Sequence, residues 1–478
     1  GDGSPFAALA GGPRDAPPRH RTLRDTVAWS YNLLGEGEKR LFARLAVFRG
    51  GRSLEAIEAV CGPDLPIDVF DGLASLVDKS LVQQKEVLGR EPRFAMLEMI
   101  HAYARERLDA GGEAEAMRGR HAEYFVALAE RAEPELRLAR YDHWCEVFEL
   151  ELDNIRAALQ WSLSAPGPGC PLGEGDAVAL GVRLAGALGL FWYGTGHHVE
   201  GIRWTRRLLA RLDEVPVIYH PRFLVSAAHL AWLNDLPMAR GLLTRALDIS
   251  RDQDDRLQSA WALLFLGYTR LHEPEWAMPM VEEALAAFRA LGHQPGIAQA
   301  LNIVGEIARL SGDDRRASHA YEECLAVCRE TGETRRICYL CNNLAYLAQH
   351  AGDHERAVHL ARQGLRLSRD RQDRRDMAET LKTIAGSMDA GSAEHAVRLL
   401  GASEAALERM GAFHQPSDMP EIDRIVAAVR ERLDDAAFDS AWAEGRAMTL
   451  EQAVADALEE AGDRSITGSA ETGVDVPR

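Results

Sequence analysis

The sequence predicts an all-α chain in which a small helical unit closed by a β-hairpin precedes a long array of two-helix units. Three observations carry this. Apolar residues recur at helical spacing through most of the 478 residues, strand-like runs occur only around residues 81–97, and small residues with Gly-Asp pairs recur every 38 to 40 positions.

Composition fits that class: 46% apolar and 27% charged residues are enough to bury ordinary cores. The 73 acidic residues exceed the 55 basic ones for a net charge of −18, and only Lys39, Lys79, Lys85 and Lys382 are lysines, so a dominant nucleic-acid-binding face is not expected. An odd count of seven cysteines without a secretory signal pattern predicts a reduced, cytoplasmic protein. Charged residues interrupt every apolar run before the roughly 18 positions a bilayer span needs, so no membrane segment is expected. A first residue of Gly1 in place of Met suggests a processed form or a piece of a longer chain.

Residues 1–21 hold Gly1, Gly3, Gly11, Gly12, Pro5, Pro13, Pro17 and Pro18 and read as a linker. Leu23, Val27, Tyr31 and Leu34 then mark one helix face, and Leu41, Leu45 and Phe48 a second. Ser53 can cap a third helix carrying Leu54, Ile57, Val60 and Cys61, with Glu55 in its electropositive first turn. Asp68 can cap a fourth, with Phe70, Leu73, Leu76 and Val77 facing inward. Leu81–Lys85 and Arg93–Leu97, separated by a loop with Gly89 and Pro92, read as a hairpin, which is the winged-helix order. A helix with Ile100, Tyr103, Ala104 and Leu108 closes this unit, giving a winged-helix domain over 22–111.

Two connector helices follow over 112–164, with Tyr124, Leu128 and Ala129 on one and Ile155, Leu159 and Leu163 on the other, then a Pro/Gly-rich loop over 165–176. From 177 to 410 the chain repeats. Gly312-Asp313, Ala317, Tyr321 and Leu325 are matched forty residues on by Gly352-Asp353, Ala357, Ala361 and Leu365, and Gly305, Ala345 and Ala385 keep the same step. Ala277 and Leu285 lie one step earlier; Ala239 and Gly201 continue upstream at 38, making about six units. Each unit leaves an apolar face that only a stacked neighbour covers. Residues 411–461, with Ile422, Ile425, Val429, Phe438 and Trp442, suit a terminal helical cap, and 462–478 lack apolar periodicity and read as a disordered tail.

The units resemble tetratricopeptide repeats in a long form, which implies a right-handed αα-superhelix. TLRDTVAWSY at Thr22–Tyr31, LFARLAVFRGG at Leu41–Gly51, LVDKSLV at Leu76–Val82 and MLEMIHAYARERL at Met96–Leu108 resemble the winged-helix module of large bacterial signal-transducing ATPases of the LuxR type. ELDNIRAALQWSL at Glu151–Leu163 and AWAEGRAMTLEQAVADAL at Ala441–Leu458 are similar to the same family's linker and C-terminal helices. The resemblance implies a nucleotide-binding module upstream, a helix-turn-helix that often follows, and repeats that sense an effector or partner. This sequence departs from the pattern: no Gly-x-x-x-x-Gly-Lys-Ser/Thr occurs, since Lys79-Ser80 lacks the flanking glycines, and no helix-turn-helix follows the cap.

Function is therefore sought in binding rather than chemistry. The helix after Asp68 carries Asp68, Asp71 and Asp78 against Lys79, and residues 1–112 hold 15 basic and 16 acidic residues, so direct DNA binding is not expected. Packing against a neighbouring ATPase module is the role the resemblance implies. Cys324, Cys328, Cys338 and Cys341 fall on apolar stripes and read as core thiols, with a zinc or redox site as the alternative. His197, His198, His350 and His354 lie near inter-helix turns and read as surface residues. No catalytic constellation and no cofactor site is found, so no enzyme activity is expected.

The best candidate site is the inner groove of the array, where the first helix of each unit presents residues three to four apart. These are Gln299, Asn302, Glu306 and Arg309 in one unit and Tyr339, Asn342, Tyr346 and Gln349 in the next, with Asn302 and Asn342 one period apart as an exposed hydrogen-bonding ladder for a protein, a peptide or a small polar effector. The sequence is thus read as the non-enzymatic sensor and interaction part of a bacterial signal-transducing transcriptional regulator. A freestanding repeat scaffold is the second reading.

Overall fold

The computed structural model describes residues 18–86, 91–164, 166–167, 169–232, 234–388, 390–412 and 416–459. Nearly all of the expected linker, the hairpin glycine Gly89 and the expected tail lie outside them. The chain forms two compact units, Gly1–Leu136 with Arg140–Asp254, and Arg137–Ala139 with Asp255–Arg478.

The first unit begins with α1 (Pro18–Asn32), α2 (Glu36–Arg44), α3 (Leu54–Cys61) and α4 (Val69–Asp78). The caps form as the sequence requires: Ser53 Oγ accepts from the Ala56 amide at 3.2 Å and Asp68 Oδ1 from the Asp71 amide at 3.1 Å, satisfying donors that a helix start leaves free. Strands β1 (Gln83–Lys85) and β2 (Arg93–Ala95) pair antiparallel, and an isolated bridge between Arg52 and Phe94 extends this small wing before α5 (Glu98–Ala110). Leu41, Phe42, Phe48, Ile57, Val60, Leu73 and Leu76 fill the core. Phe70, expected inside, is 60% exposed. The reason is helical phase: Gly72, Leu73 and Leu76 form the buried stripe, which puts Phe70, Ala74 and Asp78, four apart, on the outer face.

The expected connector is itself a helix pair. α6 (Ala114–Ala132) and α7 (Tyr141–Ser162) pack on each other and on α8 (Glu174–Gly194), so stacking begins before the first repeat. Asn154, fully buried on α7, ties the loop after α2 to this pair: its Oδ1 accepts from the Arg49 amide at 2.7 Å and its Nδ2 donates to the Gly51 carbonyl at 3.0 Å and to Glu151 at 2.7 Å. Asn154→Ala is expected to lower the stability of this unit by about 2 kcal/mol, because it removes three hydrogen bonds made by a fully buried side chain and leaves the part-buried Arg49 amide without that acceptor. Thermal melts of the two proteins check this, and an unchanged melt contradicts it.

α8 is apolar on almost every side. It is the one helix among the described residues long and apolar enough to cross a membrane by length and composition, contrary to the expectation that no segment would qualify, yet it is mostly buried by its neighbours in the unit. α9 (His198–Leu209), α10 (His220–Ala231) and α11 (Leu236–Asp252) complete the first unit.

The second unit continues the pairing with α12 (Arg256–Tyr268), α13 (Pro274–Leu291), α14 (Gln294–Leu310), α15 (Asp314–Thr331), α16 (Thr334–His350), α17 (His354–Asp370), α18 (Arg374–Ser387) and α19 (Ala393–Met410). Taken with α8/α9 and α10/α11, six two-helix units run from 174 to 410 among the described residues. The turns follow from the Gly-Asp pairs. Gly312 and Gly352 take φ of +77° and +74°, which a side chain would disfavour, and Asp313 and Asp353 then cap the next helix through the Arg316 and Arg356 amides, both at 3.0 Å.

The expected C-terminal cap divides in two. α21 (Asp435–Ala447) pairs with α19, and α22 (Leu450–Glu459) packs on α17, α18 and α19. α20 (Met419–Arg430) instead folds back onto α18, where Gly386 admits Ile425: a Cβ on Gly386 would come within 2.5 Å of the Ile425 side chain.

Candidate functional site

The sequence-derived groove residues lie on α14 and α16 of the second unit, but not as an open strip. Asn302, Glu306, Arg309, Asn342 and Tyr346 are buried, and Gln299, Tyr339 and Gln349 are half-buried. The expected exposed ladder of Asn302 and Asn342 is absent as such. Asn302 donates to Glu306 at 2.6 Å and accepts from Asn343 at 3.3 Å, whereas Asn342 donates to Thr380 on α18 at 3.0 Å. Tyr346 accepts from Thr383 at 3.2 Å, and Gln349 donates to the Thr383 carbonyl at 2.9 Å and to Ser387 at 2.7 Å. The strip thus extends onto α18, where Glu379 and Lys382 form a buried ion pair. These two stand forty residues beyond Tyr339 and Asn342, so one further step of the repeat would have found them.

What covers the strip is residues 416–421. Arg309, whose side chain is fully buried, donates from Nη1 to Glu421 at 2.8 Å and from Nη2 to Asp418 at 2.9 Å and to the Ser417 carbonyl at 3.1 Å. Its guanidinium also lies 5.3 Å from the Tyr346 ring centre. His350, expected on the surface, joins this cluster: Nε2 meets Glu421 at 3.0 Å and Nδ1 meets Asp314 at 3.2 Å, and Arg424 reaches Glu421 at 2.7 Å.

The electrostatics follow from burial and partners. Burial alone would raise the Glu421 carboxyl, but His350 and Arg309 outweigh it and hold it at about 2. Glu421 in turn raises His350, aided by Asp314 against partial burial. Burial, then the nearby Asp418, push Glu306 up to about 7, and its Oε2, like Asn342 Oδ1, has no hydrogen-bond partner among the described residues. A buried acceptor left in this state is costly, so the strip is not the most stable filling of this space.

Cys324, Cys328, Cys338 and Cys341 are buried on α15 and α16, with Cys324 donating to the Ala298 carbonyl at 3.1 Å and Cys338 to that of Thr334 at 3.4 Å. Burial raises Cys338 to about 11 and Cys341 to about 12, the opposite of a reactive thiolate. Among the described residues no group of three or more His, Cys, Asp or Glu side chains is arranged to hold a metal ion.

In the first unit a cleft of about 520 Å3 between the wing and α7 is lined by Arg49, Lys85, Arg93, Glu98, His101 and Leu150 among others, none of them a candidate from the sequence. Residues 34–109 match the winged helix-turn-helix domain family. The chain is 36% identical over 321 residues to a Mycobacterium tuberculosis protein named as an HTH-type transcriptional regulator, with 64% of this chain and 35% of that protein covered. The chain therefore spans about a third of the length of the curated relatives it matches.

Among solved structures, a signal transduction ATPase with numerous domains and a tetratricopeptide repeat sensor from Pyrococcus horikoshii gives a TM-score of 0.49 at 18% identity, covering 91% of this chain and 66% of the other. A Rap protein complexed with competence and sporulation factor gives 0.49 at 14% identity, covering 72% and 99%.

Proposed function

We propose that the chain is the sensor and interaction region of a signal-transducing transcriptional regulator, acting without chemistry or a cofactor of its own, and that an effector or protein partner binds along the inner faces of α14, α16 and α18. The observation that carries this is the strip itself: three successive repeats each contribute polar side chains to a buried line that leaves Glu306 Oε2 and Asn342 Oδ1 unsatisfied, where apolar residues would pack more stably. The regulator role is supported by the mycobacterial relative and the winged-helix match.

The winged helix serves this reading as a protein-docking module for an upstream nucleotide-binding domain. The outer face of α4 carries exposed Phe70, Asp71, Ala74 and Asp78, and Lys79 is bonded to Glu38 at 3.1 Å, so the helix offers duplex DNA an apolar and acidic surface without a free cation. An effector that favours one arrangement of the strip over another would shift the population of the whole regulator.

A thermal-shift screen of peptides and polar metabolites against the full chain tests the site. The expected hit stabilises the wild type and not the Asn302→Ala, Asn342→Ala variant. A screen in which every stabilising compound acts equally on both proteins contradicts the assignment.

A further inference from the structure

We infer that residues 416–421 with α20 are a built-in pseudoligand, and that the partner for which this surface is made is a peptide carrying two carboxylates spaced like Asp418 and Glu421. The inference rests on the binding role proposed for the strip and names the chemistry of its ligand.

Three observations lead there. First, Arg309 is a fully buried guanidinium whose carboxylates both come from the folded-back segment, not from the repeats that hold it. Glu306, one turn away on the same helix, bonds Asn302 instead. Second, the segment binds as a peptide would: the Ser417 carbonyl and the Asp418 and Glu421 carboxylates meet Arg309, Glu421 also meets His350, and Ile422 and Ile425 are buried, with Ile425 seated at Gly386. Two anions on one guanidinium with an apolar anchor beside them is a recognition pattern for an acidic amphipathic peptide. Third, the terminal stacking surface is covered independently by α21 and α22, so α20 is not needed to close the array.

Release of the segment leaves Arg309 and His350 facing an open strip. The segment and an acidic partner therefore compete for one surface, and the partner's binding lifts α20 away from α18.

The experiment uses the full chain and a fluorescent synthetic peptide of residues 416–430. In wild type the tethered copy wins, so the peptide binds weakly. In the Asp418→Asn, Glu421→Gln variant, shown by circular dichroism to be folded, the peptide is expected to bind at least about tenfold more tightly, the scale of one charge-assisted contact. The same substitutions made in the peptide, or Arg309→Lys added to the variant, are expected to reverse that gain; Arg309→Lys keeps the buried positive charge and so guards against simple misfolding.

Amide exchange locates the bound peptide. Protection on α14 and α16 together with the charge dependence supports the inference. Protection there without dependence on the carboxylates or on Arg309 overturns the pseudoligand and leaves the binding strip standing. Binding elsewhere, or no binding to the folded variant, overturns both.

Discussion

Replacing Arg309 with methionine is expected to destabilise the second unit by about 3–5 kcal/mol, the largest effect of any single substitution in the strip. Methionine fills much of the space but takes the guanidinium away from the buried Asp418 and Glu421 carboxylates, leaving Glu421 only its contacts with His350 and Arg424. The loss comes from stranded charge, not from volume. Adding Asp418→Asn and Glu421→Gln to the Arg309→Met protein should therefore restore most of the stability, a non-additivity expected only of residues in direct contact. Two units in one chain need not unfold together, so the measurement is urea denaturation followed by amide exchange within residues 294–430. A loss below about 1 kcal/mol, or three effects that simply add, would show that the cluster does not hold the segment.

The two units should respond to pH in opposite directions. In the first, burial depresses His101 and His121 to about 4, and Arg44, with Arg40, depresses Glu113 to about 2 against its own burial. A histidine that is harder to protonate folded than unfolded costs stability in acid, and the cost disappears as pH rises from about 4 to 6.5. Glu113 adds to the same trend between about 2 and 4.5, with Glu151, raised by burial, opposing it.

In the second unit burial raises Glu306 and Asp376 each to about 7 and also raises Asp418. These carboxyls keep their protons in the folded state after the unfolded chain has lost them, so stability falls from about pH 4.5 to 7. His350, raised by Glu421 and Asp314 and approached by Arg424, contributes below about 6.5 and is lost as pH rises through its folded value; His293, lowered by burial, opposes the fall. Each full unit of displacement is worth about 1.4 kcal/mol, so the divergence between pH 4.5 and 7 should reach a few kcal/mol. Amide exchange at the two ends of that range checks it, and parallel trends in both units would contradict it.

Much of this architecture was legible because it is periodic. The switch from helical spacing to the short runs at 81–85 and 93–97 announced the wing, and the step of 38 to 40 residues set out six helix pairs, two of them with the Gly-Asp turns at 312–313 and 352–353. The same step pointed to the inward faces of α14 and α16. It carried no information about what lies across them, because 416–421 is outside the period and its acidic residues look like any solvated helix face. His350 was misjudged for the same reason: its partner Glu421 is 71 residues away. Phe70 was misplaced by phase alone, a helix of ten residues being too short for apolar spacing to separate the two faces.

Native-state amide exchange of the full chain is the most direct test of the claim that the polar strip is a binding surface under a removable cover. The account predicts that residues 416–430 open below the free energy of global unfolding, while α17 and α19 stay protected and α14 and α16 gain exchange only along the strip. Exchange of 416–430 solely through global unfolding, together with α17 and α19, would make the cover a permanent part of the core and contradict it.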